Sequence, residues 1–449
     1  MSSTSSSSDD GGGGGAARRG GDYEGPSTSR RRRGANEVWP EPFLEALAAQ
    51  VAIEEARSGG RLAVAPSLVN LFQVCTTWRN VSNSDLLWAR LTQCVWGQTH
   101  LTHPTWRDEY IYRHRTAVNF RSRRFMHATL HFDPSEVNEH PHGLICRCLT
   151  LSDLHLACGF ADGTVRLFDL ATRLHIATYQ PLHQGGLGLH PRAVSGIVMS
   201  DSRLVFATLD GDIHVVMIDG GAPLRRAHVG DVVNDGALVD FAGCGRWWAG
   251  LYAGVPGRAF HIWDSNSEEL VFVGGTLTDP ESLMGWRMLT DLTQFVGRLR
   301  VTRQESAVAA TSTRVILIDL RDQGMVLRDQ SYRRRGLIVT SVDVDEDAYV
   351  IVDARGRAIV RRVATSEEIC RFNVRGASQG RVMGCMNQGY ALMCVAGVIR
   401  VWETGRGGYL YDLVEGIGEV NAIVANERHV AAYSNDATIH LWDFGAVQL

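Results

Sequence analysis

Beyond residue 140 the chain repeats one short pattern seven times, and this periodicity constrains its fold more than any local propensity does. Each copy has a tight turn, an alternating strand and an anchor position, which an acid follows in most copies. The copies are ADGTVRLFDL (161–170), LDGDIHVVMID (209–219), PGRAFHIWD (256–264), STRVILIDL (312–320), ARGRAIVRRV (354–363), AGVIRVWE (396–403) and NDATIHLWD (435–443). The turn residue precedes the anchor by six positions in every copy; the pairs are Asp162 and Phe168, Asp210 and Val216, Gly257 and Trp263, Ser312 and Ile318, Arg355 and Arg361, Ala396 and Trp402, and Asp436 and Trp442.

The repeat length identifies the architecture. Successive anchors lie 40 to 55 residues apart, close to the roughly 40–45 residues of a four-stranded WD-repeat blade. The fifth copy has lost the aromatic-acid pair, and its assignment depends on a strand, turn and strand in TSVDVDEDAYVIVDARGR. The sequence therefore predicts a mainly β fold, a seven-bladed WD-repeat β-propeller over residues 124–449.

The last copy ends almost at the last residue, so the final blade lacks an outer strand. An uncovered strand edge invites aggregation, and native proteins pair or cover such edges. RFMHATLHFD, residues 124–133, alternates in the manner of a strand and directly precedes the first blade. We predict that this segment supplies the missing strand and closes the ring.

The region ahead of the propeller has two parts. Residues 1–36 are rich in Ser, Gly and Arg, and they predict a disordered tail because they have little apolar surface to bury. Its basic run at 30–33 fits either a nuclear-import signal or a solvated charged tail.

From residue 37 apolar residues recur at helical spacing in PEPFLEALAAQVAIEEA and in SLVNLFQVCTTWR, and SNSD offers a capped restart. We predict a small helical module over 37–97.

This module resembles an F-box. The order L..LFQVCTTWRNVSNSDLLWARL is similar to the second half of that family's motif, and WPEPFLEALA is similar to its start through Pro40 and the apolar residues behind it. F-boxes dock onto the Skp-type adaptor of a cullin-RING ubiquitin ligase. The resemblance implies adaptor contacts at Pro40, Leu44, Leu47, Leu68, Leu71, Val74, Cys75, Trp78, Leu86, Trp88 and Leu91. The alternative is a helical cap on the next domain.

A further helix is predicted in TWRDEYIYRHRTAVNFRSRRF, residues 105–125, which places aromatic and aliphatic residues at helical spacing among many arginines. F-box proteins with a propeller often carry such a helix as a rigid linker, here assigned to 98–123. A basic helix with aromatics could instead bind nucleic acid. The chain's net charge of −4 favours the linker.

Catalytic motifs are absent from the sequence. We find no nucleophile elbow, phosphate loop, HExxH or paired carboxylates at one shared site, so we expect a binding protein without enzymatic activity or cofactor.

Cys146, Cys148 and His155 could be imagined as a metal cluster, but alternation in an apolar run favours core residues, and we expect no metal. Scattered cysteines without CxxC spacing indicate reduced thiols and an intracellular location, in cytoplasm or nucleus. No apolar span is long enough for a membrane helix.

Arginines cluster at the predicted turns before third strands and at the loops between blades. Because arginine reads carboxylates and phosphates through bidentate hydrogen bonds, we predict that this rim binds an acidic or phosphorylated segment of a target protein. The alternative is a set of scattered, solvated charges. The residues are Arg258, Arg314, Arg333, Arg334, Arg335, Arg355, Arg357, Arg375 and Arg381.

Together these features resemble an F-box/WD-repeat protein, the substrate receptor of a Skp-cullin-F-box ubiquitin ligase, and the composition, the Ser/Gly tail and the divergent repeats resemble those of its plant members. The chain contains no lysine, and all 45 of its Lys and Arg residues are arginine. No side-chain amine could therefore accept ubiquitin. The alternative explanation for the absence of lysine is codon bias. Two alternatives remain open: a WD-repeat scaffold outside the ubiquitin system, and a nucleic-acid or chromatin reader that uses the arginine-rich tail and linker.

Overall fold

Four-stranded antiparallel sheets account for most of the chain. A computed structural model describes residues 39–132, 145–181, 192–277, 298–311, 314–332, 339–376 and 381–446. The predicted tail at 1–36 lies outside the described residues. Seven sheets form a β-propeller, and a short helical region at 41–121 precedes it. The predicted fold class is confirmed.

Each of the first six blades contains four consecutive strands, numbered from the inside of the ring outwards. Blade 1 has β2 (Cys146–Leu151), β3 (His155–Phe160), β4 (Val165–Asp169) and β5 (His175–Tyr179); blade 2 has β6 (Val194–Met199), β7 (Arg203–Thr208), β8 (Ile213–Met217) and β9 (Arg225–His228); blade 3 has β10 (Ala237–Gly243), β11 (Trp247–Ala253), β12 (Phe260–Asp264) and β13 (Leu270–Gly274). Blade 4 has β14 (Arg298–Val301), β15 (Ser306–Ala310), β16 (Arg314–Asp319) and β17 (Met325–Ser331); blade 5 has β18 (Val339–Asp345), β19 (Ala348–Asp353), β20 (Arg357–Arg362) and β21 (Glu368–Asn373); blade 6 has β22 (Met383–Asn387), β23 (Tyr390–Val395), β24 (Val398–Glu403) and β25 (Gly408–Leu413).

The seventh blade joins the two ends of the propeller. Its three inner strands are β26 (Val420–Ala425), β27 (His429–Ser434) and β28 (Ile439–Asp443), and its outer strand is β1 (Met126–Leu130). β1 pairs antiparallel with β28, from Met126 opposite Asp443 to Leu130 opposite Ile439. The pairing is the one predicted, although the strand is shorter than the predicted 124–133. Leu130 is fully buried in a cluster that also contains residues of blade 1.

The repeated turn has a common chemical basis. In blade 1 the Asp162 carboxylate accepts hydrogen bonds from the backbone N–H and the hydroxyl of Thr164, at 2.9 and 2.8 Å. Blades 2 and 7 use a related bond, in which a hydroxyl at the end of the second strand donates to the turn aspartate. The next residue has a positive φ, 91° at Gly163 and 65° at Ala437, a conformation that glycine adopts readily and residues with a side chain rarely adopt. In these blades the turn therefore fixes where the third strand begins.

The anchor and its acid have separate roles. Trp263 and Trp442 are fully buried. The acid that follows stabilises the turn after its strand: the Asp264 carboxylate accepts hydrogen bonds from the backbone N–H groups of Asn266 and Ser267, at 2.8 and 3.1 Å. Asp443 does the same for the two residues after Phe444.

The helical region contains five α-helices: α1 (Glu41–Gly59), α2 (Val64–Phe72), α3 (Thr76–Val81), α4 (Asp85–Trp96) and α5 (Trp106–Arg121), with a short 3-10 helix at Arg61–Ala63. A sixth helix, α6 (Val232–Asp235), is a single turn in the loop ahead of β10. α1 ends at a glycine pair, and Gly60 has φ of 82°. The Ser84 hydroxyl accepts from the Leu87 backbone N–H and caps α4, as predicted.

The predicted second helix is divided. It breaks between Phe72 and Thr76, where Cys75 is extended with φ of −164° and ψ of 176°. The consecutive β-branched and cysteine residues in this stretch are weak helix formers, so the chain can turn between α2 and α3. Both helices then pack against α1 and close a common core with α4.

Candidate functional site

The two faces of the ring can be distinguished from the strand order. Every blade begins with its innermost strand and its strands alternate in direction, so all inner strands start at one face. We call this the entry face; it also carries the turn between the second and third strands of each blade. The opposite face, which we call the docking face, carries the turn between the first and second strands. This assignment decides which predicted residues lie together.

Four of the predicted target-binding arginines lie on the entry face of blades 5 and 6 and are exposed: Arg355, Arg357, Arg375 and Arg381. Asp353 organises their turn by accepting from the backbone N–H groups of Arg355 and Arg357, both at 2.9 Å. A bond of 2.7 Å from the Val374 N–H to the Gly356 carbonyl ties this turn to the loop that carries Arg375. Within the described residues, none of the four guanidiniums has an ion-pair partner.

Two other predicted arginines already have ion-pair partners. Arg258 donates to Asp235 and Arg314 donates to Asp329, each in an ion pair of 2.5 Å. These two charges are already compensated, so they offer less to an acidic ligand. Arg333, Arg334 and Arg335 lie outside the described residues. The candidate target surface is therefore narrower than the predicted rim.

The predicted adaptor-binding residues divide by exposure. Leu44, Leu68, Trp88 and Leu91 are buried in the core of the helical unit, because each lies on the side of its helix that faces the other helices. Their side chains contribute to the helical core, and the adaptor contacts expected at these positions stay predictions. Val74 and Leu86 are exposed, by 61% and 80%. The half-buried or exposed remainder comprises Pro40, Leu47, Leu71, Cys75 and Trp78.

Sequence reasoning missed other exposed apolar residues of the same unit: Trp39, Phe43 and Val69. The Trp39 and Phe43 rings stack with centroids 4.6 Å apart. The Ser84 hydroxyl donates to the Glu45 carboxylate, which brings the second turn of α1 to the start of α4, where Leu86 lies. These apolar side chains remain exposed after the helical core has closed.

Sequence reasoning also missed the contact between the helices and the docking face. Arg113 of α5 pairs with Glu427 in the first turn of blade 7, and Arg61 donates to Glu346 in the first turn of blade 5 at 2.9 Å. Arg113 is held from behind by Glu109, at 2.7 Å. No local pattern marks these pairs, because their members are separated by up to 314 positions.

Glu109 is fully buried yet ionised. Burial raises the pKa of its carboxyl, but hydrogen bonds from Thr102, His103 and Arg113 outweigh burial and lower the pKa to about 2. Its charge therefore persists at any physiological pH and keeps Arg113 oriented toward the propeller.

Apolar contacts complete the attachment. Phe120, at the end of α5, is buried and packs on Phe444 and Tyr390, with ring centroids 4.4 and 4.6 Å away. The Asn119 amide donates to the Phe444 carbonyl at 2.9 Å, and the Tyr411 hydroxyl donates to the Phe120 carbonyl. α5 is therefore part of the propeller core rather than a free connector.

In the part of the chain that the structure describes, no three His, Cys, Asp or Glu side chains converge as a metal site would require. Burial raises the pKa of the Cys146 thiol, which fits a core residue. None of the described helices is long and apolar enough to cross a membrane.

Comparison with known proteins identifies the family. No protein-family model matches the chain. The chain is 62% identical over 429 residues to the transcriptional regulator STERILE APETALA of Arabidopsis thaliana, covering 95% of this chain and 96% of that protein. The chain belongs to the STERILE APETALA family. Among solved structures, the β-propeller domain of Cps50 (Swd1) from Myceliophteria thermophila is similar at a TM-score of 0.50 and 14% identity, covering 71% of this chain and 99% of that one. This likeness concerns the fold alone.

Proposed function

We propose that this member of the STERILE APETALA family is the substrate-recognition subunit of a Skp-cullin-F-box ubiquitin ligase. Its helical unit would hold the Skp-type adaptor, and through it a cullin, and its propeller would hold the target protein. One observation carries the proposal: the helical unit is locked onto the docking face, and the unpaired arginines lie on the opposite face. The helical unit and the arginine surface therefore lie on opposite sides of the ring.

The adaptor side rests on the exposed apolar residues of the helical unit. Trp39, Phe43, Val69, Val74 and Leu86 are each at least 44% exposed although the core beneath them is closed. Exposed apolar clusters of this kind mark interaction surfaces. The F-box resemblance, which covers Val74 and Leu86, is the reason for proposing a Skp-type adaptor as the partner.

The target side rests on the entry-face arginines of blades 5 and 6. Arginine forks suit carboxylates and phosphates, so an acidic or phosphorylated segment is the proposed ligand. Arg355, Arg357 and Arg375 are held near one another by the bond between Val374 and Gly356, and they form the core of the proposed surface.

The attachment of α5 supplies the mechanism. A receptor without bond-making residues accelerates ubiquitin transfer by holding the target near the charged enzyme, and proximity is effective only if the geometry is fixed. Arg113, Arg61 and Phe120 fix it here through ion pairs and buried packing.

The relative's name bears on the setting and on a second candidate. Because that protein is called a transcriptional regulator, we propose that this chain acts in the nucleus, where removing a regulatory protein would alter transcription. The same name favours a second candidate, a WD-repeat scaffold that assembles transcriptional complexes without ubiquitin transfer. Adaptor binding distinguishes the two.

The first test is adaptor capture by the full chain. The paired substitution Val74→Asp and Leu86→Asp should weaken capture of a purified Skp-type adaptor by about 100-fold, because charges replace apolar anchors at the centre of an interface. Thermal unfolding should be unchanged, since both side chains are exposed. The matched control is Leu174→Asp, 63% exposed on blade 1, and it should bind normally. Failure of the unaltered chain to bind any Skp-type adaptor would favour the scaffold.

The second test uses the absence of lysine. A receptor without side-chain amines escapes modification while bound beside the ligase, so introducing Arg328→Lys and Arg406→Lys at two exposed positions should shorten its half-life in cells. Glutamine at the same positions is the matched control and should leave turnover unchanged. Turnover is measured after blocking protein synthesis. Equal half-lives for the Lys and Gln variants would leave codon bias as the explanation.

A further inference from the structure

The inner strands of the seven blades enclose a central channel. Its volume is about 320 Å³, and residues of β2, β6, β10, β14, β18, β22 and β26 line it. A cavity of this size is at the lower end of the range for small-molecule sites. Its charged lining residues are Arg147, Asp240, Arg298, Arg300, Asp343 and Arg381.

Those charges do not balance. Four guanidiniums face two carboxylates, which leaves the channel with a net charge of +2 in a chain whose overall charge is −4. Both carboxylates are engaged by one arginine: Arg300 donates through Nη1 to Asp240 and through Nε to Asp343, each at 3.1 Å. Asp240 also accepts from the Leu299 backbone N–H at 2.8 Å, and Asp343 from that of Met386 at 2.7 Å. Arg300 is therefore well compensated.

The other three arginines are not compensated in this way. Within the described residues, the guanidiniums of Arg147, Arg298 and Arg381 have no hydrogen-bond acceptor, and they come from blades 1, 4 and 6. Burial lowers the pKa of Arg298; Asp240 opposes this, while Arg300, Arg381 and Arg147 lower the pKa further. Arg147 and Arg298 are half-buried and Arg381 is exposed at the entry-face opening of the channel. Like charges that share one opening repel one another unless a counter-charge joins them.

We propose that the channel binds a free, compact phosphate-class dianion between Arg147, Arg298 and Arg381. Two negative charges match the channel's excess of +2, and the tetrahedral oxygens of a phosphate can accept from several guanidinium forks at once. A single carboxylate would leave one positive charge uncompensated. The ligand would connect blades that are not neighbours and stabilise the ring. The site shares Arg381 with the candidate target surface, but it uses Arg147 and Arg298 in place of Arg355, Arg357 and Arg375, and it does not depend on adaptor binding.

The experiment is a ligand titration of the full chain at constant ionic strength, using inorganic phosphate and O-phosphoserine, with thermal unfolding and calorimetry as readouts. Both ligands should bind saturably and raise the unfolding temperature, whereas chloride should not. Arg298→Gln should weaken binding at least tenfold, the loss expected for one charge-assisted hydrogen bond of about 1.5–3 kcal/mol. Arg381→Gln should act in the same direction. Arg406→Gln, an exposed arginine on the docking side of blade 6, is the matched control and should bind normally.

A second readout separates ligand binding from a structural role. Without the anion, Arg298→Gln should unfold at the same or a higher temperature than the unaltered chain, because it removes a half-buried charge that other arginines repel. If Arg298→Gln is strongly destabilised in phosphate-free buffer, Arg298 is structural and the proposal is wrong. The proposal also fails if phosphate binding is absent or survives both substitutions. If a phosphoserine peptide binds through Arg298 at least tenfold more tightly than free O-phosphoserine, the site belongs to a target segment, and the free-ligand proposal is likewise overturned.

Discussion

Replacing Leu130 with Asp is expected to destabilise the propeller by more than about 4 kcal/mol, a large part of the roughly 5–15 kcal/mol by which a folded domain is stable. Leu130 is fully buried where β1 closes blade 7 and packs with residues of blade 1. An aspartate there would lose the packing of a buried leucine, worth about 2–5 kcal/mol, and would bury a charge without a partner. Urea or thermal unfolding, followed by circular dichroism, measures the loss.

Met126 provides the control within the same strand. It pairs opposite Asp443 at the other end of β1 and is 42% exposed, so Met126→Asp should cost far less than Leu130→Asp. Deletion of residues 124–133 should reproduce the larger effect, because blade 7 would lose its outer strand. Similar stabilities for Leu130→Asp and the unaltered chain would show that ring closure does not depend on this strand.

Phe120→Ala is expected to destabilise the protein by about 3–5 kcal/mol, the usual cost of removing a buried phenylalanine. Its ring contacts Phe444 and Tyr390, and its carbonyl accepts from the Tyr411 hydroxyl. The hydrogen bond would survive the substitution, but the ring contacts that seat α5 on the propeller would be lost. Denaturant unfolding measures the effect, with Phe120→Leu expected to retain most of the stability.

The control is Phe43→Ala, which removes the same atoms from a ring that is 44% exposed. We expect it to cost less than about 1 kcal/mol. If the two variants lose equal stability, α5 is attached less firmly than its contacts indicate. A loosened α5 should also lower the rate of target ubiquitination without altering adaptor capture, because proximity requires a fixed distance.

The attachment of the helical unit to the propeller depends on the ion pairs of Arg113. Ion pairs at protein surfaces contribute little individually, but Arg113 is only 10% exposed and lies between two carboxylates. Loss of Glu427 would leave Arg113 partly buried with Glu109 alone. The attachment therefore depends on partners from both the helical unit and the propeller.

The architecture was readable from the sequence because it rests on local chemistry repeated seven times. In all seven copies the turn residue precedes the anchor by six positions, and in blades 1, 2 and 7 the turn residue is an aspartate followed by a residue with positive φ. Each blade must solve the same packing problem, so periodicity survives even where the Trp-Asp pair is lost. The closing strand followed from the last copy, because it left a strand edge of the kind that native proteins pair or cover.

The helical unit was less readable. Its apolar spacing indicated helices and a capped start at Ser84, and both are present. The break at Cys75 was missed, because the periodicity continues across it on both sides. The spacing also did not distinguish residues that face the other helices from those left open, and both kinds appear among the predicted adaptor contacts.

The sequence by itself determined the seven blades, the strand that closes them and the helical nature of the preceding region, since each is encoded by contacts within or between adjacent repeats. Only the tertiary structure decided which arginines remain unpaired, which apolar residues stay exposed, and that α5 packs into the propeller. Those properties depend on side chains hundreds of positions apart, such as Arg113 and Glu427. Distance along the chain carries no information about such meetings, because folding, rather than spacing, brings the partners together.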